Sequence, residues 1–255
     1  MSWALVTGAS SGMGFKYAGQ LASRGYDILL VSNQEAELRQ AADELASSYH
    51  VRAIPRFQDL AKPDAADSLL EFCHSQSIEI EILINNAGMF FMKELTPADD
   101  HLIGTMMNLH MTAVTRLSLL FGNEMRQRGH GHILIVSSLA AALPMPGITV
   151  YAATKAYLLS FGRSFYFEMH PYGVSVTTVC PAAIATPLYH LREDLMRLGV
   201  RLGVIWTPDR LVRRALRSMF HGRRCIRPGF MNIYLPPLIA ALPKRIVSHI
   251  WNKIK

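Results

Sequence analysis

The chain has 255 residues, of which 50% are hydrophobic and 18% charged, enough apolar material for one substantial core and too little charge for a disordered chain. Its three cysteines, Cys73, Cys180 and Cys225, lie far apart with no CxxC pair, which excludes a disulfide scaffold and a structural zinc site; no metal site is expected. The formal net charge of +7 conceals an asymmetry: residues 1–189 hold 12 basic and 16 acidic side chains, whereas 190–255 hold 14 basic and 3 acidic.

Such a basic block is either a solvated face or an attraction to anionic partners. No apolar run approaches the roughly 20 residues of a spanning helix. The first one runs directly into Thr7-Gly8, leaving no space for a secretory leader. The expected location is therefore the cytoplasm.

In chain order, apolar segments at 3–6, 28–31, 51–57, 80–84, 132–136 and 174–179 read as strands buried on both faces, since Val-rich and Ile-rich runs without polar alternation suit a parallel sheet covered by helices. The stretches between them are long enough for crossover helices. The predicted fold is α/β, a doubly wound parallel sheet of the Rossmann-like type, with 1–255 as one domain. There is no internal repeat, no low-complexity tract and no linker that would divide the chain.

The first strand is followed at once by Thr7-Gly8-Ala9-Ser10-Ser11-Gly12-Met13-Gly14, and then by a helix-like stretch from Phe15. Glycines at a strand-to-helix turn let the backbone approach a pyrophosphate, and the helix N-terminus offers unpaired N–H groups with a partial positive charge. Ser10 and Ser11 add hydroxyl donors. This placement points to a nucleotide.

The GxxxGxG spacing of this loop, Asn85-Asn86-Ala87-Gly88 after the fourth apolar segment, Tyr151-Ala152-Ala153-Thr154-Lys155 with YxxxK spacing, and Ser138 thirteen residues before the tyrosine together resemble the short-chain dehydrogenase/reductase family. With Asn108 matched to the family's helix asparagine, the resemblance covers roughly residues 3–187 in the right order. It implies hydride transfer between a nicotinamide cofactor and a carbonyl or alcohol, with Tyr151 as the proton-transferring acid/base. A tyrosine with an ordinary pKa near 10 needs help at neutral pH. Lys155, one helical turn on, supplies a cation on the same face. The resemblance further implies that Lys155 holds the nicotinamide ribose, that Ser138 bonds the substrate oxygen, and that Asn108 positions a relay water.

The same resemblance places Gly8, Ser10, Ser11, Gly12, Met13 and Gly14 on the phosphates, Ser32 and Asn33 at the adenosine ribose, and Asp59 and Leu60 at the adenine. Asn86, Ala87 and Gly88 would line the adenine-ribose side, and Ile184 and Thr186 the carboxamide, with Tyr151 and Lys155 also touching cofactor. Relatives that prefer NAD carry an acidic residue at the end of the second strand. Ser32 and Asn33 lack that carboxylate and its repulsion of a 2′-phosphate, which favours NADP(H) while remaining compatible with NAD(H). The usual arginine at position 33 is missing; Arg39 is a candidate substitute.

After Thr186 the expected element is a substrate lid over 188–230, with leucines 188, 191, 195, 198 and 202 at helical intervals. Met89, Phe90, Phe91 and Met145 are expected to line an apolar pocket. Residues 236–255 form a basic tail in which a helix from Pro243 would gather Ile246, Val247, Ile250, Trp251 and Ile254 on one face. That pattern suits a peripheral contact with an anionic membrane, the inner surface being the expected one, or docking on the body or on a second subunit. The apolar lid and the arginine cluster around Arg213 and Arg223 resemble the branch of the family that reduces long-chain or steroid-like ketones, and acyl thioesters fit the same charge. No interleaved aromatic platform for nucleic acid is present. Relatives of this type form homodimers or homotetramers through helix faces at 105–125 and 151–168. A non-catalytic nucleotide-sensing or membrane-associated protein of the same fold is the alternative, and the intact Tyr151 and Lys155 argue against it.

Overall fold

The computed structural model describes residues 2–143, 145–184, 197, 199–201, 205–243, 245, 246 and 252. Seven parallel strands form one sheet in the order β3-β2-β1-β4-β5-β6-β7. They are β1 (Trp3–Thr7), β2 (Asp27–Ser32), β3 (Ala53–Phe57), β4 (Ile80–Asn85), β5 (Gly131–Val136), β6 (Val174–Val179) and β7 (Cys225–Ile226). Between them run α1 (Gly12–Ala22), α2 (Glu35–Tyr49), α3 (Ala65–Ser75), α4 (Asp100–Met107), α5 (Ala113–Arg128), α6 (Thr149–Met169) and α7 (Pro208–Phe220), and α8 (Met231–Ala241) comes after the last strand. The six strands expected from apolar runs are present with ends shifted by two residues at most. The seventh has only two residues and no apolar run to announce it.

Alternation along each strand feeds two cores. Ala4 and Val6 pack with Tyr17 and Leu21 of α1, Leu38 and Leu45 of α2, and Leu211 and Leu216 of α7. Trp3 and Leu5 pack on the other face with Leu69 of α3, Leu117 and Phe121 of α5, and Leu158 and Phe165 of α6. A parallel strand covered on both faces has no solvent side, which is why these strands read as unbroken apolar runs. Each fully buried leucine contributes roughly 1.5–3 kcal/mol of transfer free energy.

The region expected as a lid, 188–230, divides differently. Its described part from Ile205 onward supplies α7, whose Leu211, Val212, Ala215 and Leu216 are completely buried against α1 and the sheet, and β7, which extends the sheet beyond β6. Leucines 188, 191, 195, 198 and 202 lie outside the described residues. Helix α8 is also unannounced by the sequence pattern, because Pro236 and Pro237, which sit inside it, usually break helices.

Helix α6 carries the YxxxK segment and lies unusually close to β6. At Gly162 a Cβ would stand 2.2 Å from Thr178 Oγ1 and 3.2 Å from Ile135 Cδ1, so only glycine lets helix and sheet meet there. Gly162→Ala is expected to destabilise the fold by about 1–3 kcal/mol through overpacking, read as a lowered denaturant midpoint at unchanged m-value.

Candidate active site

The strand order reverses between β1 and β4, and in such sheets the crevice outside the carboxyl ends at that point is where ligands bind. Here it is a cavity of about 560 Å³. The Thr7 side chain ties the two strand ends together: its hydroxyl donates to the Ile84 carbonyl at 3.2 Å and accepts the backbone amides of Asn86 and Ala87 at 2.9 and 3.0 Å. The Asn86 amide nitrogen donates to the Thr7 carbonyl at 2.9 Å. Asn85 turns away, donating to Ser118 Oγ at 3.0 Å inside the helical layer, a structural tie.

The glycine loop is packed so closely on itself and on the loop after β4 that two of its positions admit only glycine. Gly8 has φ +64°, and a Cβ there would lie 2.9 Å from Ala87 Cα; at Gly14 it would lie 1.9 Å from the Gly8 carbonyl oxygen. Helix α1 begins directly beyond, its first residue Gly12 preceded by extended Ser11, so free N–H groups face the cradle. Ser10, Ser11, Gly12, Met13 and Gly14 line the cavity with Ser32, Asn33, Asp59, Leu60, Asn86, Ala87, Gly88 and Ile184. Every expected cofactor residue is thus brought to one crevice except Thr186, which lies outside the described residues. Gln34, Gln58 and Ala61 line it as well.

At the adenosine end, Ser10 and Ser32 share a hydrogen bond of 3.0 Å between their hydroxyls, and Ser32 Oγ accepts the Gln34 amide at 3.2 Å. Arg39 does not take the place of the missing arginine: on the exposed face of α2 it pairs with Glu35 at 2.7 Å and does not line the cavity. The side chains that line this end are hydroxyls and amides, with the Asp59 carboxylate further along.

Ser138, Tyr151 and Lys155 stand at the other end of the same cavity. All three are buried. Ser137 donates from its hydroxyl to the Lys155 carbonyl at 2.7 Å, pinning α6 to the end of β5, while Ser138 Oγ faces the cavity and accepts the Ala140 amide at 3.1 Å. Lys155 Nζ donates to the Val136 carbonyl at 3.1 Å and lies 5.6 Å from the centre of the Tyr151 ring. Burial pushes the Lys155 pKa down to about 8, so at neutral pH the ammonium persists. Phe90 meets Tyr151 edge-on at 4.9 Å, and Met89, Phe91 and Ile148 pack in the same cluster. On the other side Leu139, Leu143 and Ala182 pack with Met145 and with Met231, Leu235 and Ile239 of α8.

Asn108 does not join this group. It is exposed and opens a π-helical turn, Asn108–Thr112, inserted between α4 and α5, in which the Ala113 N–H bonds back to the Asn108 carbonyl. The extra residue of such a turn rotates the next helical residues about the axis. The side chain that faces the site is His110, fully buried, 5.8 Å ring to ring from Tyr151. Burial and the neighbouring Lys155 charge push its pKa down to about 2.

A dinucleotide cradle joined to a Ser-Tyr-Lys constellation in one doubly wound sheet defines a nicotinamide oxidoreductase of the short-chain type. The family model described as "short chain dehydrogenase" matches residues 2–195. The chain is 31% identical over 223 residues to the "Very-long-chain 3-oxoacyl-CoA reductase-A" of Danio rerio, an alignment covering 85% of this chain and 66% of that protein. To the "Very-long-chain 3-oxoacyl-CoA reductase" of Homo sapiens it is 32% identical over 258 residues, covering 99% of this chain and 78% of the other. It thus spans just under two thirds of the fish protein and more of the human one. Among solved structures, a short-chain dehydrogenase from Sphingobium yanoikuyae in complex with NADPH superposes with a TM-score of 0.80 at 28% identity, covering 96% of this chain and 97% of that one. The chain belongs to the short-chain dehydrogenase family and is an oxidoreductase by that membership.

The buried His110 carries a pH dependence whose sign comes from its depressed pKa. An unfolded imidazole titrates near 6.5, so below that pH the unfolded state binds more protons than the folded one and stability falls. The loss is roughly 1.4 kcal/mol per pH unit, reaching about 2 kcal/mol at pH 5. Lys155 is protonated in both states across that window and adds little. Denaturant titrations at pH 7 and pH 5 are expected to show this extra acid loss in the wild type and not in His110→Phe.

Proposed function

We propose that this protein is an NADPH-dependent reductase of a largely apolar ketone, a 3-oxo acyl thioester or similar lipid being the substrate class. The observation that carries the reading is the one cavity that joins the glycine cradle to Ser138, Tyr151 and Lys155, with Met89, Leu109, Pro181 and Ile184 as apolar lining at that end. The names of the Danio rerio and Homo sapiens relatives support the substrate class, and the NADPH complex of the Sphingobium yanoikuyae enzyme supports the cofactor. The carboxylate-free end of β2, where Ser10, Ser32 and Asn33 offer only neutral donors, accepts a 2′-phosphate without repulsion. Lacking a cation there, the preference over NADH is modest.

When bound, the dinucleotide supplies the hydride. The chain's own groups do the rest. Ser138 donates a hydrogen bond to the carbonyl oxygen and so stabilises the charge that develops on it. Tyr151 delivers its phenolic proton to that oxygen. The ammonium of Lys155, held by the Val136 carbonyl, favours the phenolate left behind. Replacing Tyr151 with Phe is expected to lower turnover of a bulky ketone roughly 10²–10⁴-fold, the usual worth of a general acid, with NADPH affinity retained. Turnover unaffected by the substitution would overturn the mechanism.

A membrane contact is favoured by a specific feature of α8. While Met231, Leu235 and Ile239 pack on Leu139, Leu143 and Ala182, Phe230, Ile233, Tyr234 and Leu238 are each half or more exposed. From 210 to 255 the chain carries 11 basic and no acidic residues. A helix apolar all round, set in a uniformly basic segment, suits an anionic lipid surface from which a lipophilic ketone would enter. The tail expected to make this contact, 243–255, lies mostly outside the described residues; among them no helix is long and apolar enough to cross a membrane. Homo-oligomer contacts are assigned to the α5 and α6 face, where Leu119, Tyr157 and Phe167 are exposed. Co-sedimentation with phosphatidylserine-containing vesicles, but not with pure phosphatidylcholine, is expected. A variant with Ile233, Tyr234 and Leu238 changed to Ser should lose it while reducing soluble ketones normally. Equal binding by the variant would remove this reading, and a change of oligomeric state instead would assign the face to a second copy.

A further inference from the structure

His110 sits in the place expected for the relay asparagine, yet its bonding is unlike that of a relay. Its Nε2 lies 3.0 Å from the Met89 backbone nitrogen. A backbone N–H can only donate, so Nε2 is the bare nitrogen and the ring proton is on Nδ1. Nδ1 lies 2.9 Å from Thr154 Oγ1, and that hydroxyl in turn donates to the Tyr151 carbonyl at 2.9 Å. Every bond in this series has one direction: Met89 N–H to His110, His110 N–H to Thr154, Thr154 O–H to the backbone of Tyr151. Placing the proton on Nε2, or adding a second one, would set two N–H groups against each other.

We infer that His110 is a positioning residue, an uncharged Nδ1-protonated imidazole that braces the turn of α6 carrying Tyr151 to the loop leaving β4, and that it takes no part in proton transfer. Both ring nitrogens are committed to protein partners, so neither a lone pair nor a proton remains for a water chain. The groups that face the ring and titrate or carry charge are Tyr151 and Lys155, both on α6; the β4 side presents only backbone, and there Gly88 is close enough that a Cβ would stand 3.1 Å from Nε2. Position 110 lies within the π-helical turn, while Asn108, which opens it, is exposed. Geometry this tight matters because a displacement of the order of 1 Å in a proton donor costs up to about 10²-fold in rate.

This inference rests on the reading that Tyr151 is the proton donor, and the test separates the two. Thr154→Val removes the link to α6 without touching the ring. It is expected to lower kcat about tenfold or more with NADPH dissociation within twofold of wild type, and Thr154→Ser to restore most of the rate. His110→Phe should act on the same step, so the double variant with Thr154→Val should lose little beyond the worse single one, and the pH profile of kcat should keep its limbs because no titrating group has been removed. In the wild type, ¹⁵N NMR should show His110 protonated on Nδ1 and non-titrating between pH 5 and 8. An Nε2-protonated or titrating ring, additive losses, or an unchanged kcat in Thr154→Val would overturn the proposal. A wild type that reduces no ketone would count against the proposed function instead, leaving the NMR measurement to decide the brace.

Discussion

The Thr7 hydroxyl stands at the point on which the rest of the site depends. It lies where β1 and β4, neighbours in the sheet, turn away toward helices on opposite faces. At that point the backbone groups at the strand ends lose their ladder partners, and unpaired buried amides cost about 1–3 kcal/mol each. One hydroxyl takes up the deficit by donating to Ile84 and accepting from Asn86 and Ala87. Because those bonds fix the β4 loop against the glycine loop, a Cβ at Gly8 would meet Ala87 and one at Gly14 would meet the Gly8 carbonyl. A loop held this way leaves the N-terminus of α1 open to the cavity, where a phosphate would find backbone N–H groups.

The two ends of the cavity are built by different means. The phosphate end is backbone geometry, so glycine is its informative residue. The chemical end is side-chain placement on α6, and it depends on how α6 is fixed. Three contacts do this: Thr154 through His110 to the β4 loop, Lys155 on the same turn through Ser137 and Val136 to the end of β5, and Gly162, two turns further on, against Thr178 of β6. Ser137 and Ser138, adjacent in sequence, therefore divide the work, one anchoring the helix and the other facing the substrate space.

This division explains why some of the molecule is legible in the sequence and some is not. Strands buried on both faces announce themselves by composition, and the glycine loop, the YxxxK helix and Ser138 are short local motifs whose spacing survives folding unchanged. These placed nearly the whole cavity. The seventh strand has two residues and so no pattern, and α8 contains a Pro-Pro pair that argues against a helix. Asn108 is the instructive case. A motif match treats α4 and α5 as one regular helix, but a π-helical turn stands between them, and it is His110, not Asn108, that is buried beside Tyr151. Periodicity of 3.6 cannot reveal such an insertion. The signal that was available is chemical: a histidine two places on, between Leu109 and Met111, is a polar group that burial would force to find partners.

The arrangement also settles which charges the pocket holds. Lys155 and His110 are both buried and face the Tyr151 ring, and two cations there, in a poorly solvated site, would repel strongly. The bonding resolves the conflict in one direction. The imidazole is kept neutral by an amide that can only donate to it, whereas the ammonium keeps a carbonyl acceptor and loses only part of its basicity, its pKa falling to about 8. One positive charge therefore remains beside the Tyr151 ring. Asparagine at position 110 would leave that charge the same. What histidine adds is reach, since its ring spans from the β4 loop to α6 and makes the two walls of the pocket one mechanical unit.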